Sequence, residues 1–125
     1  MKVGELGKEY KDGDFIIKQG EAGNCMFVIQ SGEVEVLREN NGGQVQLAIR
    51  KTGDFFGEMA LFSKEVRSAT IKAIGDARIL TIDRKNLLQS IQKDPSLAFR
   101  IIETLSKRLR DLSEEIVSFK ADNKK

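Results

Sequence analysis

From Lys8 to about Asp83 the apolar segments are all too short for helices, and glycine or polar turns separate them. Phe15-Ile16-Ile17, Met26-Phe27-Val28-Ile29, Val34-Glu35-Val36-Leu37 and Val45-Gln46-Leu47-Ala48-Ile49 are rich in β-branched and aromatic residues, and the last two partly alternate. Asp12-Gly13, Gln19-Gly20, Ser31-Gly32 and Thr52-Gly53-Asp54 punctuate them. Asn40-Asn41-Gly42-Gly43 reads as a hairpin tip, because Asn and Gly tolerate positive φ. Ser68 to Ala73 and Ala77 to Ile82 suit a final strand pair turning near Gly75-Asp76. Seven or eight short strands at this spacing predict a closed barrel or a jelly roll.

The pattern changes after Asp83. Leu87, Leu88 and Ile91 give residues 84–93 the stripe of a short amphipathic helix. Asp94-Pro95 restarts the chain, with Asp as cap and Pro at the first helical position of a long helix over 95–119. A charged tail, Lys120 to Lys125, is expected to fray beyond it. Ala98, Ile102, Leu105, Leu109, Leu112, Ile116 and Phe119 alternate spacings of four and three, a heptad seam. Ile102, Leu109 and Ile116 take one core position, and Leu105, Leu112 and Phe119 the other, which suits a parallel two-stranded coil and so a homodimer. The competing use of the stripe is packing on the chain's own barrel, for which Ile101 adds width. With 125 residues, one domain over 1–125 is expected.

Composition removes several function classes. The net charge of +2 is too small to imply nucleic acid or a membrane surface as partner. No apolar run approaches the roughly 20 residues that cross a bilayer, and Met1-Lys2-Val3-Gly4 begins no signal peptide. Cys25 is the single cysteine, read as a small buried hydrophobe, and its inability to form an internal disulfide fits a reducing, cytoplasmic setting. There is no histidine. Its absence takes away the usual general base, the triads built on it and most transition-metal sites, so no enzyme, metal or cofactor is expected.

The stretch richest in chemistry is Phe56-Gly57-Glu58-Met59-Ala60-Leu61-Phe62, followed by Val66-Arg67-Ser68-Ala69-Thr70. Gly57 has no side chain to hold a ligand away from the backbone. Met59 to Phe62 suits one helical turn, whose free N–H groups favour an anion. Arg67 matches phosphate oxygens with a planar fork that never loses its charge. Glu58, when ionised, accepts from a sugar hydroxyl. Together they suggest a small phosphorylated sugar. The competing reading of Arg67 and Glu58 is a mutual surface ion pair, worth under about 1 kcal/mol.

These residues resemble the phosphate-binding cassette of cyclic-nucleotide-binding domains, the family carried by catabolite activator protein and protein kinase A regulatory subunits. Gly20-Glu21-Ala22-Gly23-Asn24-Cys25 through Val36 resembles that family's glycine-punctuated strand pair, and Lys51 to Phe56 its approach to the cassette. The likeness runs from about Gly13 to Phe119. It implies a mainly β fold: an eight-stranded β-roll (a double-stranded β-helix or jelly roll) over 8–83, a short cassette helix and two C-terminal helices.

The resemblance also implies roles. Glu58 would accept from the ribose 2′-hydroxyl and Arg67 would hold the cyclic phosphate. Gly57, Met59 and Ala60 would present backbone groups to ribose and phosphate. Ser68 would reach phosphate or a guanine base, with Ala69 beside it in the motif. Val36 and Leu47 would lie beside the purine, or else serve as ordinary core. Where the family's bacterial activators place adjacent Thr and Ser to contact adenine, this chain has Leu112-Ser113, so Ser113 alone is left to reach the base.

Only Met1 to Gly7 precedes the first expected strand, and no helix-turn-helix follows the long helix. The chain therefore reads as a stand-alone sensor of cyclic AMP or cyclic GMP, signalling through its last helix to an unidentified downstream protein. The alternative is an interaction module of the same fold that binds no ligand.

Overall fold

The computed structural model describes residues 7–63 and 66–123. Expectations about the segment before Gly7 and the last two tail residues lie outside these. The described chain forms two compact units, one ending at Leu87 and the other beginning at Leu88.

The first unit is a mainly β roll. Its elements are β1 (Lys8–Tyr10), β2 (Phe15–Ile17), β3 (Cys25–Asn40), β4 (Gly43–Lys51), β5 (Phe55–Phe56), α1 (Met59–Phe62) and β6 (Thr70–Asp83). All strand pairs are antiparallel, and β3 and β6 form the spine. One edge of β3 runs along β6 from Cys25 to Leu37, while its other edge pairs first with β5 and then with β4. The free edge of β6 takes β2 near Ile71 and β1 near Ile79. Two four-strand ribbons result, β1-β6-β3-β5 and β2-β6-β3-β4, continuous through the two long strands. Eight strand positions are thus built from six strands among the described residues. The pairing path ends at β1 and β4 without closing, so the open roll replaces the closed-barrel alternative.

The segments expected as separate strands fuse because Ser31-Gly32 and Gly75-Asp76 sit inside strands instead of ending them. The β3–β6 register shifts on either side of Ser31, bending the pair where one ribbon passes into the other. Gly32 makes the bend close-packed: its φ is +96°, and a Cβ there would lie 2.5 Å from the Asp76 carbonyl oxygen. The expected hairpin tip forms at Asn41-Gly42, both at positive φ.

Both ribbons turn their inner faces onto one core. Ile17, Phe27, Ile29, Val34, Phe56, Ile71, Ala73, Ala77 and Ile79 are buried together, with Val36 and Cys25 packed against them. Phe27 and Phe56 stack with ring centroids 5.2 Å apart. These strand pairs fix where β5 ends, and so where the chain enters Gly57.

Two helices follow. The Asp83 carboxylate accepts from the Asn86 amide at 2.8 Å and caps α2 (Arg84–Lys93), which buries Leu87. Asp94 accepts from the Ser96 amide at 3.2 Å at the start of α3 (Ser96–Asn123). This helix starts one residue after Pro95 and runs past Phe119, so the segment expected to fray is helical as far as Asn123. The seam residues Ile102, Leu109, Leu112, Ile116 and Phe119 are exposed along it. None of the helices described is long and apolar enough to cross a membrane.

Candidate ligand-binding site

The cassette begins where β5 meets Gly57. Gly57 has φ +74°, and a Cβ there would meet Arg67 Nη1 at 2.9 Å, Ile17 Cδ1 at 3.1 Å and Phe27 Cδ2 at 3.3 Å. The close approach expected at this glycine is therefore made, in the structure itself, by the Arg67 side chain. Glu58 follows in αR conformation as the N-cap of α1, with its own side chain taking no part in the cap. The expected single turn forms over Met59–Phe62. Inside it the Leu61 amide donates to Glu58 O at 3.0 Å, and the Ala60 amide only weakly to Gly57 O at 3.4 Å. Arg84, the first residue of α2, donates to Leu61 O at 2.8 Å and satisfies a carbonyl at the C-terminal end of the turn.

Arg67 is the centre of the site. Its side chain is buried, at 9% relative exposure, so the surface ion pair considered for it is not its environment. Nη1 donates to Gly57 O at 2.8 Å and Nη2 to Cys25 O at 2.9 Å, with Cys25 Sγ 3.7 Å from Nη2. The guanidinium also lies 5.5 Å from the centroid of the Phe27 ring. The backbone is pinned as firmly: the Arg67 amide donates to Glu21 O at 2.8 Å, and the Gly20 amide to Arg67 O at 2.9 Å. Carbonyl dipoles orient the guanidinium without cancelling its charge. Burial makes that charge costly unless an acceptor of opposite sign meets it.

The other candidates fall into three places. Ser68 and Ala69 follow Arg67 on the way into β6, Ser68 exposed and Ala69 half-buried. Val36 packs on the core, whereas Leu47 is 52% exposed and so is not core. A pairing shift explains Leu47: Val36 faces Ala48 and Leu37 faces Gln46, leaving Leu47 as the extra residue of a bulge. Ser113 is exposed on α3, in the second unit.

Two contributors to the site escaped the sequence. The Cys25 carbonyl is one: Cys25 is half-buried against the core, as a small apolar residue would be, yet its backbone oxygen holds Arg67. Gly23 is the other. A Cβ there would fall 2.5 Å from Arg67 Nη2 and closer still to Nε and Cζ, although φ at Gly23 is outside the left-handed range. The glycine-rich run Gly20 to Gly23 was the only available signal, and it reads equally well as a turn.

The cyclic nucleotide-binding domain model matches residues 7–94, more than half of the chain. The chain belongs to this family. It is 35% identical over 113 residues to the cyclic AMP receptor protein of Thermus thermophilus, covering 88% of this chain and 52% of that protein. It is 43% identical over 94 residues to a cGMP-dependent protein kinase of Caenorhabditis elegans, covering 68% and 12%. The crystal structure of the Thermus thermophilus catabolite activator protein matches with TM-score 0.76 at 34% identity, over 90% of this chain and 54% of that one. This cyclic nucleotide-binding domain thus spans about half the length of the first of these relatives and much less of the kinase.

Proposed function

We propose that the chain binds a 3′,5′-cyclic nucleoside monophosphate, cyclic AMP or cyclic GMP, as a regulatory module and not as an enzyme. The Arg67 guanidinium takes the cyclic phosphate, assisted by backbone groups at Gly57, Met59 and Ala60 and by Ser68 and Ala69. Glu58 accepts from the ribose 2′-hydroxyl, and Val36 and Leu47 flank the base. The observation that carries this reading is the buried Arg67, aimed by two carbonyls at 2.8 and 2.9 Å. A guanidinium has five N–H donors, and the contacts described use fewer than all of them, so an anion can be gripped without dismantling the cradle. Family membership supports the same ligand class.

The signal passes as a population shift. Ligand at Gly57 to Ala60 stabilises one position of α1, and the bond from Arg84 to Leu61 O ties that position to the start of α2. The exposed seam on α3 supports a homodimer as the form in which the signal is delivered. Titration calorimetry with cyclic AMP and cyclic GMP tests the ligand. Arg67→Ala should weaken binding by about a hundredfold or more, since breaking a buried charge pair costs roughly 3–5 kcal/mol. Unchanged affinity in that variant, or no binding by the wild type, would refute the assignment. The second result would leave a ligand-free interaction module as the surviving reading.

A further inference from the structure

Of the groups that hold the Arg67 guanidinium, the Gly57 and Cys25 carbonyls belong to the backbone, and almost any residue at those positions would supply them. The Cys25 sulfur, 3.7 Å from Nη2, is at best a weak acceptor. Phe27 is different, because Cζ of Arg67 lies over its ring, 5.5 Å from the centroid. That ring is itself held. It is buried in the core and stacks on Phe56, its direct partner across the β3–β5 pair, with centroids 5.2 Å apart and planes 15° from parallel. Phe56 precedes Gly57, so the same stack places the carbonyl that accepts from Nη1. Little space is left between these groups: a Cβ at Gly57 would come within 2.9 Å of Arg67 Nη1 and 3.3 Å of Phe27 Cδ2.

The face of an aromatic ring is the negative side of its quadrupole and attracts a cation, yet the ring carries no net charge. A carboxylate in the same place would hold the guanidinium more strongly, but it would also neutralise it, and an incoming phosphate would have to displace it. Among the described residues no carboxylate pairs with Arg67. The ring and both ends of the stack are buried, as Arg67 is, so the attraction is little weakened by water. Such a contact multiplies an equilibrium constant by about 5 to 30, from favourable exposed pairs to those removed from solvent.

We propose that Phe27 is a positioning residue of the phosphate site: its ring face holds the Arg67 guanidinium where the cyclic phosphate meets it, and brings no counter-charge for the ligand to displace. The inference rests on the assignment of the phosphate to Arg67. With the ring gone, the guanidinium keeps its carbonyl acceptors but loses the surface it lies against. Part of the binding free energy then goes into ordering it. Phe27 touches no ligand in this scheme, and its whole effect on affinity passes through Arg67.

The test is calorimetry with cyclic AMP and cyclic GMP on the full chain carrying Phe27→Leu, Arg67→Ala or both. Circular dichroism confirms the fold, and Phe27→Met takes the place of Phe27→Leu if that variant does not fold. Phe27→Leu alone should weaken the tighter-binding ligand by about 5- to 30-fold. In the Arg67→Ala background the same change should cost nothing further, a coupling that a purely structural role would not produce. Phe27→Tyr keeps the ring face and should bind within about twofold of the wild type. Equal losses from Phe27→Leu in the two backgrounds, no loss at all, or Phe27→Tyr as weak as Phe27→Leu would each overturn the inference and leave the Arg67 assignment standing. Unchanged affinity in Arg67→Ala, or failure of both ligands to bind the wild type, overturns both.

Discussion

Replacing Gly23 by alanine isolates the packing that holds Arg67. Backbone strain is not involved, because φ at Gly23 is outside the left-handed range, and the three atoms nearest to a Cβ there all belong to the Arg67 guanidinium. The new methyl group would overlap Nε and Cζ, so the side chain must move and the bonds to Gly57 O and Cys25 O, 2.8 and 2.9 Å long, must lengthen or break. Each is a hydrogen bond from a charged donor, worth about 1.5–3 kcal/mol. A guanidinium pushed toward solvent recovers part of that by hydration, which brings the cost to about 1–3 kcal/mol, the range of overpacked sites. In an Arg67→Ala background the conflict disappears, and Gly→Ala at a permitted φ should stabilise by about 0.4–1 kcal/mol. Urea denaturation of the four proteins should therefore return a coupling of about 1.5–4 kcal/mol between the two positions. Equal effects of Gly23→Ala in both backgrounds would show that Gly23 does not serve the guanidinium.

Other outcomes follow from the same geometry. Glu58→Gln should narrow the preference for a cyclic nucleotide over its 2′-deoxy analogue; if calorimetry finds that preference unchanged, the ribose contact is wrong. Leu109→Glu places a charge on the exposed seam of α3 and should convert a dimer to monomer in sedimentation, and a wild type that is monomeric at high concentration would remove the dimer. The Asp94 carboxyl is held below its ordinary value by the Ser96 hydroxyl first, then by the Arg100 charge. A depressed carboxylate contributes stability that is present above its unfolded value and is lost as pH falls through the folded one. NMR should therefore find the Ser96 amide shift titrating below pH 3.8, and a midpoint at or above that value contradicts the cap.

The mainly β fold was legible because short β-branched runs between glycines leave few alternatives, and the cassette because Glu58 and Arg67 carry their chemistry in their side chains and Gly57 in the lack of one. What stayed hidden depends on backbone. Ser31-Gly32 looks like a turn in one dimension, but in the fold it is the bend of a continuous strand, forced by the close passage of β6. The cradle of Arg67 consists of two carbonyl oxygens, which every residue possesses and no composition can single out. Leu47 matched an apolar position, but its exposure comes from a bulge that only the pairing with Val36 and Leu37 defines.

A crystal structure with a bound cyclic nucleotide would test the central claim most directly. The account predicts the exocyclic phosphate oxygens within about 3 Å of the Arg67 guanidinium and of amides at the start of α1. A well-ordered nucleotide whose phosphate lies elsewhere, with Arg67 still bonded only to Gly57 O and Cys25 O, would contradict it.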